Sequence, residues 1–183
     1  MSDLTFIDLN KNKYCKKKIK KLYYEAFPRN ERVPFIFLKL FARKNKATFF
    51  GICDKERFIG LIYNIYYKDI VYVYYLAIDK DFRGKGYGSK TLEAIKKKYN
   101  QCRIILMSEE INENSENYEE RIKRKRFYNN NGFRDFYYKV KEAGVIYDML
   151  GYNKEVSHEE YKELMKNYWG TFLYKNIYEK ISK

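Results

Sequence analysis

Ala77-Ile78-Asp79-Lys80-Asp81-Phe82-Arg83-Gly84-Lys85-Gly86-Tyr87-Gly88-Ser89 lies between a strand-like run and an amphipathic helix, and its reading decides the fold. Glycines at the alternate positions 84, 86 and 88 remove the side chains that would keep backbone N–H groups from closing on an anion, and they admit positive φ. The helix that follows turns its unpaired first amides and the positive end of its dipole toward the same point. Arg83 and Lys85 add charge. The stretch therefore reads as a phosphate site.

Upstream, Ala47 to Asp54, Phe58 to Tyr67 and Ile70 to Ile78 are rich in Phe, Ile, Val and Tyr and are separated by the turn signals Asp54-Lys55-Glu56-Arg57 and Lys68-Asp69. They predict an antiparallel meander that runs into the glycine loop. Before it, Leu4 to Leu9 predicts a first strand. Lys16 to Phe27 predicts a helix with Ile19, Leu22, Tyr23 and Ala26 on its apolar face, stopped by Pro28. A loop over Phe27–Val33 leads to a second helix from Pro34 to Lys44.

Downstream, Ser89 to Tyr99 predicts a helix with Leu92, Ile95 and Tyr99 on one stripe, and Arg103 to Met107 a short strand. A right-handed crossover would lay that strand parallel to the one before the loop. Glu109 to Glu116 reads as an acidic loop, Asn117 to Asn130 as a helix closed by Gly132, and Phe133–Lys141 with Val145–Tyr152 as a hairpin around Ala143-Gly144. Glu159 to Tyr168 predicts a closing helix. The tail beyond it, with Phe172, Leu173, Ile177, Tyr178 and Ile181, is too apolar for a free linker.

Spacing excludes two other glycine loops. A P-loop needs Gly-x4-Gly-Lys-Ser/Thr, which is missing, and a dinucleotide fingerprint needs a third glycine where Thr91 or Ser89 stands. What fits is Arg-x-x-Gly-x-Gly, from Arg83 to Gly88, although a plain glycine-rich turn fits these residues too. A second constellation, Arg124-Lys125-Arg126-Phe127-Tyr128-Asn129-Asn130-Asn131-Gly132-Phe133, holds an aromatic-Tyr pair followed by x3-Gly-Phe. In this order, the two resemble the pyrophosphate loop and the late signature of the GNAT superfamily of N-acetyltransferases.

The resemblance implies an α/β fold with a mixed, mostly antiparallel sheet and helices on both faces. It covers a core of residues 3–152 in a single domain over residues 1–183, with residues 153–183 as a C-terminal helical extension. It implies acetyl-CoA as cosubstrate, with the acetyl group passing directly to an amine. The pantetheine arm would then meet backbone groups of Leu76, Ala77 and Ile78, and the pyrophosphate Arg83, Gly84, Lys85, Gly86, Tyr87, Gly88 and Ser89. Tyr128 corresponds to the tyrosine that protonates the departing thiolate, and a phenol does stay protonated at neutral pH. Family members often bind the coenzyme through an asparagine seven residues before that tyrosine. Here the position is Arg121, with Asn117 one turn earlier.

Asn117, Arg121, Arg124 and Tyr128 share one helical stripe. Asn117 also suits a helix cap, with Glu120 completing a box-like pair. As general base we select Glu109, at the end of the short strand, over Glu31. Glu25, Glu31, Glu109 and Glu110 are the acids available to line an acceptor cleft.

Composition bounds the function. With 45% hydrophobic and 19% aromatic residues, the 183-residue chain suits one folded α/β domain rather than a disordered one. The net charge of +14 invites a polyanion. The lysines nevertheless run through every segment without a separate basic tail, so nucleic acid is disfavoured and a coenzyme's phosphates suffice. Cys15, Cys53 and Cys102 with the single His158 assemble neither a metal site nor a disulfide framework, so no metal is expected. Free thiols fit a reducing cytosol, which predicts a cytoplasmic protein. No apolar stretch suits a signal peptide or a membrane span, and no membrane partner is expected. His158 reads as an exposed helix-start residue. A homodimer, a coenzyme-binding regulator without catalysis and a basic RNA-associated protein stay open as alternatives.

Overall fold

In the computed structural model, which describes residues 4–175, alternation along strand β2 sets the layers. The elements run β1 (Leu4–Asp8), α1 (Lys13–Ala26), α2 (Phe35–Arg43), β2 (Ala47–Asp54), β3 (Arg57–Tyr67), β4 (Ile70–Ile78) and α3 (Tyr87–Lys98). They continue with β5 (Arg103–Glu109), α4 (Tyr118–Asn130), β6 (Arg134–Glu142), β7 (Val145–Tyr152), α5 (His158–Trp169) and a short α6 (Thr171–Leu173). The strand order is β1-β2-β3-β4-β5-β7-β6. This is the mixed, mostly antiparallel α/β architecture expected. Residues Ile177, Tyr178 and Ile181 of the apolar tail lie outside the described residues.

The chain divides into two compact units. One comprises the residues up to Tyr66 with Val73–Asn100, the other Tyr67–Tyr72 with the residues from Gln101 onward.

In the first unit, successive β2 side chains face opposite ways. Phe49 meets Tyr23 of α1 and Phe35 of α2, with ring centroids 6.3 and 5.6 Å apart. On the other face Thr48 shares a hydrogen bond with the Tyr66 hydroxyl, which shares another with Tyr99 at the end of α3. The helices thus cover both faces of this strand. Gly51 and Gly60 permit the closest approaches: a Cβ on Gly51 would lie 2.2 Å from Cys15 Sγ, and one on Gly60 would lie 2.5 Å from the Ala77 carbonyl oxygen.

In the second unit, Arg103 joins three segments. Its guanidinium donates to Asp69 at 2.7 and 2.8 Å, to Glu160 at 2.7 and 3.0 Å and to the Glu155 carbonyl at 3.0 Å. It thereby fastens α5 to the β3–β4 turn.

Several boundaries move for local reasons. Helix α1 begins at Lys13 rather than Lys16 because the Asn12 side chain accepts the Cys15 N–H. Strand β5 continues past Met107 to Glu109, because Ser108 and Glu109 pair with Asp148 and Tyr147 of β7. Helix α5 begins at His158 behind a Ser157–Glu160 capping box. His158, expected to be exposed, is half-buried with its ring 5.2 Å from that of Tyr138. Burial, reinforced by Lys162, lowers its pKa.

Two predictions follow from this packing. Gly60→Ala, whose Cβ would meet backbone, should lower unfolding free energy by about 1–3 kcal/mol in urea titrations. Arg103 holds the Asp69 and Glu160 carboxyls below their ordinary 3.8 and 4.5. Because both are depressed, the stability they confer is present at neutral pH and is lost as pH falls below those values. Arg103→Met should lower the melting temperature at pH 7 and flatten its fall toward pH 3.

Candidate functional site

The glycine loop belongs to the first unit. Asp79 starts a 3-10 turn over Lys80–Phe82 by accepting the Asp81 N–H, and Gly84 and Gly86 then take φ of +72° and +77°. Only glycine enters this left-handed region at no steric cost. Gly86 stands at the N-cap of α3 without a side-chain cap, so the helix begins two residues earlier than expected, at Tyr87. Its first intrahelical bond of this turn is Lys90 N–H to the Gly86 carbonyl at 3.1 Å. Among the described residues, the five consecutive amides of Gly84 through Gly88 donate to no acceptor. A Cβ at Gly84 or Gly86 would meet nothing within 4 Å. The result is an exposed run of backbone donors at the positive end of a helix.

The side chains around these amides divide their work. Arg83 Nε donates to the Ile78 carbonyl at 3.0 Å, and Arg83 pairs with neither Asp79 nor Asp81, so its terminal nitrogens stay available. Lys85 instead turns back to the Asp81 carbonyl at 2.8 Å. The Tyr87 hydroxyl donates to Asp54 Oδ2 at 2.7 Å, which raises its pKa and anchors α3 to the end of β2. Tyr87 therefore offers the loop its amide, not its phenol. Arg83 and Lys80 line a surface depression with Leu22, Glu25 and Ala26 of α1.

The loop between α1 and α2 is held from below. The Tyr75 hydroxyl donates to the Glu31 carbonyl at 2.9 Å and accepts the Val33 N–H at 3.1 Å, while the Tyr23 hydroxyl donates to the Val33 carbonyl at 2.7 Å. No local pattern in the sequence points to these contacts, which span ten to forty-four residues.

In the second unit, Glu109 at the end of β5 is 6% exposed. Arg124 bonds its Oε2, while Arg121 Nη2 at 3.1 Å and Asn117 Nδ2 at 3.3 Å reach its Oε1. Arg121 also donates to Asn117 Oδ1 at 2.7 Å and to the Glu110 carbonyl at 2.8 Å. Both Glu109 oxygens are thus engaged by side chains of α4 and its N-cap. One expectation is corrected. Asn117 stands at the N-cap of α4 but makes no cap bond, because its carboxamide is committed to Glu109 and Arg121. Helical spacing places its stripe-mates Arg121 and Arg124 on the same face but does not identify the carboxylate they meet.

Tyr128 closes that stripe. It is half-buried, its ring 6.2 Å from that of buried Phe133, and no group among the described residues hydrogen-bonds its hydroxyl. Burial raises its pKa, opposed by the positive charge of Arg124. Gly132 turns the chain at φ +80°, and the Phe133 N–H returns to the Tyr128 carbonyl at 3.1 Å, which fixes the end of the helix. One residue-pair further, Lys125 joins Asp148 and Asp135 at 2.6 and 3.0 Å. Among the described residues no group of three or more His, Cys, Asp or Glu could hold a metal ion.

No curated protein sequence matches the chain. Solved structures do share its fold. A GNAT-family protein from Bacteroides thetaiotaomicron aligns over 96% of this chain and 97% of its own, at 21% identity and a TM-score of 0.73. An aminoglycoside 6'-N-acetyltransferase complexed with coenzyme A covers 84% of this chain and 99% of its own, at 13% identity and a TM-score of 0.64. Arabidopsis thaliana Naa50, in complex with the bisubstrate analogue CoA-Ac-MVNAL, covers 83% and 99%, at 18% identity and a TM-score of 0.59. The model of the acetyltransferase (GNAT) domain matches residues 45–135, a span that runs from β2 through the glycine loop to Tyr128. The chain is an acetyltransferase and belongs to the GNAT family.

Proposed function

We propose that this acetyltransferase uses acetyl-CoA and transfers the acetyl group directly to a primary amine of a small molecule or peptide. The observation that carries the reading is the run of unpartnered amides from Gly84 to Gly88 at the start of α3. Five donors in sequence, with open space where two side chains would stand, suit a diphosphate. The terminal nitrogens of Arg83 add a charge-assisted contact. Backbone groups of Leu76, Ala77 and Ile78 hold the pantetheine arm, with the Ile78 carbonyl shared with Arg83. The coenzyme A and bisubstrate-analogue complexes of the structural neighbours support this choice of cosubstrate.

When bound, acetyl-CoA supplies an activated acyl group as a thioester. The protein supplies orientation and a proton. Tyr128 carries a hydroxyl without a hydrogen-bond partner among the described residues and a pKa held above its ordinary 10.0, so it stays protonated through the neutral range. That state is what a departing thiolate requires. Asn117 and Arg121, locked on Glu109, act by fixing α4 and hence the position of Tyr128, rather than by touching the coenzyme.

Two measurements test the reading. Arg83→Ala should weaken coenzyme A binding roughly tenfold in calorimetry, and Gly86→Val, which forces a branched side chain to positive φ, should weaken it further. Absence of any heat with the wild-type chain would overturn the assignment. Tyr128→Phe should lower kcat for thiol release by about 10²–10⁴ across an amine panel and leave coenzyme A affinity unchanged. An acetyl group found on Cys15, Cys53 or Cys102 as a competent intermediate would exclude direct transfer.

A further inference from the structure

Residues 11–46 hold 13 lysine and arginine residues against two acids, Glu25 and Glu31, so eleven of the chain's fourteen net positive charges fall there. The reading of lysines as evenly scattered overlooks this concentration. Folding gathers the charge on α1 and α2. The positive charge of Lys16, with that of Arg43, lowers the Lys39 pKa. Among the described residues, the one ion pair on these two helices is Lys21 with Glu25, at 3.8 Å.

Helix α2, Phe35-Ile36-Phe37-Leu38-Lys39-Leu40-Phe41-Ala42-Arg43, is apolar on nearly every side. It buries Phe35, Leu38 and Phe41 against the sheet, yet Ile36 is 66% exposed, Phe37 40% and Leu40 41%. At about 100° per residue, Ile36, Leu40 and Phe37 fall on one outward arc, and Lys39 and Arg43 border it. An apolar arc of this kind beside unpaired cations needs a cover that is both oily and negative.

Three covers can be compared. A second copy of the chain would set one cation-rich face against another, which like-charge repulsion opposes. A nucleic acid would neutralise the cations but leave aliphatic Ile36 and Leu40 in water, since strand binding uses aromatic stacking and charge. An anionic bilayer satisfies both halves: the headgroup region accepts the apolar arc, and the negative leaflet accepts the lysines. No helix among the described residues is long and apolar enough to cross a membrane, so α2 would lie in the plane of the surface.

We propose that the α1–α2 face docks on an anionic lipid surface, with Ile36, Phe37 and Leu40 entering the headgroup layer and Lys16, Lys39 and Arg43 meeting lipid phosphates and carboxylates. This replaces the expectation of no membrane partner with peripheral contact.

The test is cosedimentation of the intact chain with phosphatidylcholine vesicles containing about a third phosphatidylserine. Binding should fall roughly tenfold or more when phosphatidylserine is omitted, or when salt rises from about 0.1 M to about 0.5 M. Ile36→Ser with Leu40→Ser should weaken it roughly tenfold while the melting temperature holds, since both sites are exposed. Phe37→Trp gives an independent readout: its emission should move to the blue with the anionic vesicles and stay fixed with phosphatidylcholine alone. No anionic-lipid-dependent sedimentation would overturn the proposal. So would full binding by the serine variant. Tight binding of single-stranded RNA with the Phe37→Trp emission unmoved by vesicles would assign the face to nucleic acid instead.

Discussion

The left-handed backbone at Gly84 and Gly86 is the constraint on which the rest depends. A helix that starts behind an ordinary Ser or Asp cap spends one of its first amides on that side chain. Helix α3 starts behind a glycine and spends none. The loop's rigidity therefore comes from elsewhere: the Asp79 turn before it, Lys85 folded onto the Asp81 carbonyl, and Tyr87 tied to Asp54. None of these contacts uses an amide of Gly84 through Gly88, so the loop is tied down without those donors being consumed. Arg83 follows the same pattern, with one nitrogen on the Ile78 carbonyl and two left over.

How much of this was legible depended on the range of the interaction. The strands of the meander were readable because Phe, Ile, Val and Tyr mark half-buried or buried strands within a few residues, and their bounds move by one residue at most. Helix starts moved where a cap decides them, at Asn12 and at Gly86, since a cap is one side chain or its lack rather than a period. The loop itself was legible because its chemistry is local and its spacing excludes the competing glycine motifs.

The surroundings of Glu109 were not legible. The stripe Asn117–Arg121–Arg124 could be read from helical spacing, but its partner lies on a strand, and nothing local says that the strand runs on to residue 109. A carboxylate chosen for its place near the end of a strand proves to be buried under two guanidinium groups, and burial of a charge is tolerated where partners of opposite sign surround it. The tyrosines show the same limit. Tyr23 and Tyr75 look like two among many aromatic residues, yet their hydroxyls hold the backbone of residues 31 to 33.

The cluster under α4 also bears on Tyr128. Arg124 stands one turn before the phenol and pairs with Glu109. Burial of the phenol favours its neutral form, and the positive charge of Arg124 opposes this. Desolvation dominates, and the pKa moves upward. By pairing with Arg124, Arg121 and Asn117, Glu109 fixes the first turns of the helix that carries Tyr128.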